Sequence, residues 1–183
     1  MAGTSSLDAG KVGPVTRRLA RKARTGVLAV RRQPRRPYHR VLATVDLSDM
    51  SRQALDLAFE LAPGAEVLAA YALVSRFDQM LIESGRSRAE VEKLHTTRME
   101  RATEALADFV SDYPTVTPIV VSGPPSTALS ETARRRSVDL VTASSKGGGG
   151  NSLVLLGTVA EEVMESAHCD VAIANVDATF RRP

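Results

Sequence analysis

Several classes of protein are excluded by what this 183-residue chain contains little of. Cysteine occurs once, at Cys169, so neither an internal disulfide nor a metal site built from several thiolates can form. The histidines His39, His95 and His168 are too scattered to indicate a metal cluster. No uninterrupted apolar run approaches the ~18 residues that a membrane span requires. What remains is a chain whose 43% apolar residues suffice for one buried core, and we expect a reducing, cytoplasmic setting.

The charge is divided unevenly along the chain. Residues 1–40 carry eleven basic side chains and one acid, a net charge of +10, whereas the remainder carries 13 basic and 20 acidic groups, a net charge of −7. An acidic body gives no general reason to bind nucleic acid, but a basic segment can contact an anionic surface. We therefore predict a basic arm, disordered or partly helical, over 1–38, an α/β domain over 39–177 and a short tail over 178–183.

The basic arm has four open interpretations. Val15, Leu19, Ala23 and Val27 recur every four residues with arginines between them, which is typical of an amphipathic helix. Such a helix would make the protein membrane-peripheral by lying on anionic lipid, or would contact nucleic-acid phosphates. The arginine-rich, acid-poor composition also resembles an organellar transit peptide. The alternative is a disordered arm whose charges repel one another.

Beyond the arm, strand and helix patterns alternate strictly. The apolar runs predict five strands, at 40–45, 66–74, 116–122, 138–143 and 170–176. The three-and-four spacing of apolar residues predicts four main helices, at 48–62, 87–113, 126–137 and 153–167. Continuous apolar strands that alternate with helices are typical of a parallel sheet covered on both faces. The fold class is therefore an open, doubly wound α/β domain.

Two segments meet at the carboxyl edge of that predicted sheet. Asp46 follows the first strand. Ser144–Gly147 follows the fourth strand and leads into the glycine run Gly147–Gly150. Ligands of open α/β sheets bind at this edge, where the strand order reverses. Backbone N–H groups of glycines can approach an anion closely, and successive N–H groups form anion-binding nests. The sequence contains neither a P-loop motif nor a glycine fingerprint after the first strand.

At these residues the chain resembles the universal stress protein family. The family signature after the fourth strand is G-x-x-G, nine residues, then G-[ST]; here Gly147, nine residues and Gly157-Thr158 fit, while Ser144 replaces the first glycine. VDLSDMSRQALDLAFELA resembles the first strand–helix junction. SVDLVTASSKG resembles the fourth strand and its loop, and SAHCDVAIANV the closing strand, where Asp170 replaces the usual proline. The likeness covers roughly residues 38–176.

The resemblance implies a fold, a ligand and a partner. The fold is a five-stranded parallel sheet in the order 3-2-1-4-5, and the partner is a second copy joined through the fifth strand, Val171 to Val176. The ligand is ATP or AMP, with Mg²⁺ as its companion ion. The cofactor-binding positions that carry over are Thr44, Val45, Asp46, Ala72, Ser144, Lys146, Gly147, Gly157, Thr158 and Val159.

Three functions stay open at this point. The first is a nucleotide-binding regulatory protein of the stress-response type, the second an interaction module without nucleotide, and the third a slow ATP hydrolase. No Ser/His/Asp or Cys/His set stands out, so we expect no strong intrinsic catalysis. Each candidate site residue also has a purely structural interpretation. Asp46 can start an Asx turn or cap a helix, Gly147–Gly150 can be a surface loop, and Cys169 can be a small buried apolar residue.

Overall fold

A six-stranded sheet forms the centre of the molecule. The computed structural model describes residues 12–23, 25–31, 36–74, 76–146 and 156–175. The strands are β1 (Val27–Ala29), β2 (Arg40–Val45), β3 (Glu66–Leu73), β4 (Val116–Ser122), β5 (Leu140–Ser144) and β6 (Asp170–Ala174). The helices are α1 (Pro14–Lys22), α2 (Arg52–Leu61), α3 (Arg76–Glu83), α4 (Arg88–Phe109), α5 (Pro125–Arg135) and α6 (Thr158–Ser166).

The strand order corrects the prediction. The sheet runs β1-β6-β5-β2-β3-β4, so it has six strands and not the five in the order 3-2-1-4-5 that we expected. The difference is β1, which pairs antiparallel with β6. The other five strands are parallel, and counted without β1 they follow one another as 3-2-1-4-5. A strand of three residues is too short to produce a recognisable alternation, which is why the pattern missed it.

Apolar side chains on both faces of the sheet explain why helices cover both. One buried cluster joins the sheet to α1, α5 and α6, and the other joins it to α2 and α4. β2 carries one intermediate residue and five buried ones, as expected for a central parallel strand. β4 forms the far edge of the sheet and contains Pro118, which lacks an N–H and is tolerated at such edges.

Two serines begin the helices on the α2–α4 face. Ser48 accepts a hydrogen bond from the Ser51 N–H and starts a 3₁₀ turn, Asp49–Ser51, that leads into α2. Ser87 and Glu90 form a reciprocal capping box at the start of α4. Among the described residues, no helix combines the length and apolar composition needed to cross a bilayer.

Part of the basic arm is folded against the domain. Its helix ends at Lys22, so the helical repeat does not continue to Val27, which instead opens β1. Ala20 and Ala29 are buried against the α5–α6 face. The division of the chain at 38/39 and 177/178 stays a prediction.

A buried carboxylate fastens the end of β1. Asp170 accepts the backbone N–H of Arg31 at 2.7 Å on one oxygen and the hydroxyl of Tyr38 at 2.8 Å on the other. The Arg31 guanidinium donates to the carbonyl oxygens of Met164 and Glu165, at 2.6 and 3.1 Å, where α6 ends. Burial and the hydrogen bond to Asp170 raise the pKa of Tyr38 well above its usual value. The outer edge of β6 is thus paired, and the homodimer through Val171 to Val176 stays a prediction; Val176 lies outside the described residues.

Cys169 gives a direct test of this packing. It is buried, as the sequence suggested, and burial above all raises the pKa of its thiol from 9.0 to about 12. At about pH 8 the folded chain should therefore hold at least about a hundredfold less thiolate than the unfolded chain. We expect iodoacetamide to leave Cys169 unmodified in the native protein and to alkylate it in urea. Equal alkylation rates in both states, followed by mass spectrometry, would contradict the packing around β6.

Candidate functional site

The residues directly after β2 and β5 are brought together by the pairing of these neighbouring parallel strands. β2 pairs with β5, with Thr44 opposite Ala143, and β3 pairs with the other side of β2, with Tyr71 opposite Val45. Parallel neighbours lie ~4.8 Å apart and end at the same edge of the sheet. The segment after Val45 and the segment after Ser144 therefore leave the same edge of the sheet side by side, where we predict the ligand crevice.

The first border of the crevice is a tight turn. Asp46 Oδ1 accepts the backbone N–H of Ser48 at 3.1 Å and also the Ser48 hydroxyl. This is the Asx turn that the sequence left open beside a ligand role. Leu47, between them, has φ 64°, a left-handed conformation that costs a branched side chain of this kind about 1–2 kcal/mol. A strained conformation persists only where the surrounding structure holds the residue in place, and such residues concentrate at functional sites. Leu47 therefore makes this turn a candidate part of a site.

Three predicted residues near this turn offer main-chain atoms and not side chains. Val45 packs in the cluster shared with α2, and Ala72 packs in the opposite cluster under α5 and α6. The hydroxyl of Thr44 donates to the carbonyl oxygen of Thr142 at 3.2 Å and is buried. Any ligand at the ends of β2 and β3 would therefore meet the backbone of these positions.

The second border begins with an unstrained serine. Ser144 is not among the described residues with positive φ, so its replacement of a family glycine costs no backbone strain. Its hydroxyl donates to the carbonyl oxygen of Lys146 at 2.7 Å and closes a short turn. Lys146 is half-buried. Gly147, the next predicted residue, and the remainder of the glycine run lie outside the described residues.

The start of α6 returns to the same place. The N–H of Gly157 donates to the carbonyl oxygen of Ser145 at 2.7 Å, and Ser145 itself donates to Ala174 at the end of β6. Gly157 is the N-cap of α6 and supplies no side-chain hydrogen bond to the helix, while Thr158 and Val159 are exposed. The first N–H groups of a helix point outward and carry partial positive charge, so this end is suited to an anion.

Gly157 is not required by the backbone. Its φ of −67° and ψ of 148° are open to any residue. A Cβ added there would meet Ser145 O at 3.6 Å, an ordinary contact. The fold therefore tolerates a side chain at Gly157. The space beside the start of α6 is open because this residue is glycine and not because the backbone requires glycine.

Sequence reasoning missed two residues that shape the crevice. Ser145 positions the start of α6 through its carbonyl oxygen, and Leu47 sets the bend after Asp46. Neither carries a side-chain signal, because a main-chain acceptor and a left-handed leucine leave no mark on a pattern of residue types. Among the described residues, no group of three or more His, Cys, Asp or Glu side chains is arranged to hold a metal ion.

A second concavity lies away from this crevice. It has a volume of about 740 Å³ and runs between α5, α6 and the start of α1. Arg17, Glu131, Arg134 and Glu165 give it charges of both signs, and none of the predicted ligand-contacting residues lines it. The mixed charge does not favour one kind of small molecule.

Comparison with known proteins agrees with the resemblance. The sequence profile of the universal stress protein family matches residues 37–175. The universal stress protein MJ0531 of Methanocaldococcus jannaschii is 28% identical over 140 residues, which cover 74% of this chain and 81% of that protein.

Solved structures agree in fold. The hypothetical protein MJ0577 superposes with a TM-score of 0.62 at 22% identity, covering 75% of this chain and 96% of that chain. UspA from Lactobacillus plantarum superposes with a TM-score of 0.56 at 19% identity, covering 76% and 99%.

Substitutions at Asp46 separate its role in the turn from any role toward a ligand. Asp46→Asn keeps a side-chain oxygen that can accept the Ser48 N–H, so we expect the free energy of unfolding to change by less than about 0.5 kcal/mol. Asp46→Ala removes that acceptor and should cost about 1 kcal/mol. Urea unfolding of both variants measures the difference. If Asp46→Asn proved as unstable as Asp46→Ala, the carboxylate charge and not the turn would be responsible.

Proposed function

Because the chain belongs to the universal stress protein family, we propose that it binds an adenine nucleotide, ATP or AMP, in the crevice between β2 and β5. The observation that carries the proposal is the open start of α6 at Gly157, which lies against the end of β5 with no side chain capping it. The nucleotide would serve regulation, in keeping with the absence of a catalytic set in the sequence.

The phosphates belong at the start of α6. The outward N–H groups of Thr158 and Val159 and the partial positive charge of the helix terminus attract an anion, and the Thr158 hydroxyl adds a donor. Lys146, on the turn that closes β5, supplies a full positive charge from the neighbouring loop. Gly147 is proposed for the same cradle on the resemblance alone.

The nucleoside belongs at the ends of β2 and β3. The backbone at Thr44 and Val45 offers amide donors and acceptors to the adenine, and Ala72 leaves room beside it because its side chain is small. The carboxylate of Asp46 is a hydrogen-bond acceptor suited to a ribose hydroxyl. Mg²⁺ would arrive with the phosphates, as the companion of ATP and not as a separately held ion.

Two other functions are outcomes of the same measurement. Protein that retains no nucleotide on purification and binds none would be an interaction module with the same fold. Protein that binds ATP and releases phosphate at a rate above the uncatalysed one would be a slow hydrolase. Small molecules released by heating, identified by mass spectrometry, separate the first case from the proposal.

A single methyl group tests the proposed phosphate site. Gly157→Ala places a Cβ beside the start of α6, where it should obstruct a phosphate and weaken ATP binding at least tenfold, or about 1.4 kcal/mol. Isothermal titration calorimetry with ATP and AMP measures the change.

Gly13→Ala is the matched control. Gly13 is the N-cap of α1, with φ −69° and ψ 162°, and also lacks a side-chain cap. The two variants therefore share the intrinsic cost of alanine at an N-cap, about 1 kcal/mol or less, but only one borders the crevice. Equal ATP affinity in folded Gly157→Ala and Gly13→Ala would reject the phosphate site.

A specific observation favours a second function for α1. Its outward face combines two exposed apolar side chains, Val15 and Leu19, with Arg18 and Lys22, while Ala20 faces the core. Exposed apolar residues flanked by cations are typical of helices that lie on anionic lipid. We propose that this face makes the protein membrane-peripheral.

Vesicle sedimentation tests the lipid face. Leu19→Glu replaces a 45% exposed leucine and should lower binding to phosphatidylglycerol vesicles at least tenfold. Val74→Glu makes the same change in charge at a 46% exposed residue after β3 and should bind as the unaltered chain does. Binding to duplex DNA with none to vesicles would show nucleic acid as the partner instead.

A further inference from the structure

The edge of β6 is occupied by a segment that is only lightly attached. All twelve of the largest fully buried side chains lie in the domain, between Val41 and Ile173, and none comes from α1 or β1. The arm buries Ala20 and Ala29 and packs only the partly buried Val12 and Val27 beside them, which removes less apolar surface from water than the large side chains of the domain do. Its attachment therefore depends largely on polar contacts and on three paired residues.

Those polar contacts concentrate at one end of β1. The Asp170 carboxylate binds the Arg31 N–H and the Tyr38 hydroxyl, and the Arg31 side chain binds the last carbonyls of α6. At the other end the side-chain amide of Asn175 donates to Thr25 O at 2.6 Å.

The ion pairs of α1 add little to this attachment. Arg17 pairs with Glu165 and Arg21 with Glu161 at the surface, where such pairs contribute about 0–1 kcal/mol each. A unit with few buried apolar contacts opens at a lower free energy than the core. We therefore expect the arm to open at a lower free energy than the domain.

The strand beneath is suited to a new partner once β1 leaves. β6 is a fully buried run of β-branched and small residues, Val171 to Ala174, whose outer N–H and C=O groups then lose their partners. Two copies of β6 related by a two-fold axis run antiparallel, and antiparallel is the direction in which β1 binds this edge. The pairing made by β1 is thus the pairing that a second copy can make.

We propose that β1 is a displaceable occupant of the β6 edge, and that a second copy of this chain pairs through β6 when β1 is released. In the intact chain β1 and the second copy compete, so self-association is suppressed as long as β1 is docked. Release converts the edge into an isologous interface. The proposal requires no nucleotide and stands apart from the proposed function.

Full-length variants of β1 test the competition. Ala29→Asp places a charge at a 6% exposed position and should release β1, because a buried unpaired charge is strongly unfavourable. Leu28→Asp places the same charge on the same strand at a 40% exposed position and is the matched control. By sedimentation velocity, Ala29→Asp should dimerise with a dissociation constant at least tenfold below that of the unaltered chain and of Leu28→Asp.

A second route releases β1 without a charge in the core. Asp170→Asn keeps the shape of the side chain but removes one of the two acceptor oxygens that hold Arg31 and Tyr38, and it too should promote the dimer. Adding Leu28→Cys, Ala172→Cys and Cys169→Ala to that variant joins two directly opposed residues, whose spacing suits a disulfide. Oxidation should then return the chain to a monomer, and reduction should restore the dimer.

Three outcomes would overturn the proposal. In the first, Asp170→Asn stays folded by circular dichroism and remains monomeric wherever it is measured. In the second, the oxidised, β1-locked chain dimerises as well as the reduced one, so that another surface is responsible. In the third, Leu28→Asp dimerises as strongly as Ala29→Asp, so that charge and not release is the cause.

Discussion

The parallel pairing of β2 with β5 is the constraint on which the candidate site depends. These strands are about one hundred residues apart in the chain, yet their register sets Thr44 against Ala143 and brings both following loops to one edge. The order of the sheet reverses at this pair, since β3 and β4 continue on one side and β6 and β1 on the other. Without that reversal the turn at Asp46 and the start of α6 would not lie at the same edge of the sheet, where the nucleotide site is proposed.

Small side chains allow the helices to close over this pair. Ala43, Ala69, Ala70 and Ala143 are buried in the central strands, and the Thr142 hydroxyl donates to a carbonyl oxygen of α2 at 2.8 Å. This hydrogen bond joins a side chain of β5 to the backbone of α2. The consequence is a rigid frame beneath a crevice whose own walls are turns.

The parts of the structure that sequence could predict are those with a repeated pattern. β2 and β4 begin and end at the predicted residues, because their apolar runs are bounded by charged or polar neighbours. The start of α6 was placed too early, at 153 and not at Thr158, since apolar residues also precede Gly157. β1 was invisible because three residues carry no periodicity and its partner strand lies more than 140 residues away.

The sequence could predict where in the fold the candidate site lies, but not which atoms of its residues are available to a ligand. The glycine spacing pointed to Gly157, and strand order pointed to Asp46. Which side-chain atoms stay available to a ligand is seen only in the structure: the Asp46 carboxylate accepts from Ser48 in the Asx turn, and the Thr44 hydroxyl donates to Thr142 on the neighbouring strand. Ser144 stands where the family signature has glycine, and only the structure shows that this position needs no positive φ.

The two edges of the sheet are guarded in different ways. On β4 an incoming strand is disfavoured by the sequence itself, because Pro118 has no N–H to donate to it. On β6 the edge is covered by β1, which pairs with it. Pairing through sheet edges is therefore available on one side of the molecule. Two copies joined through β6 would leave their β4 edges outermost, so a filament could not grow by adding further copies.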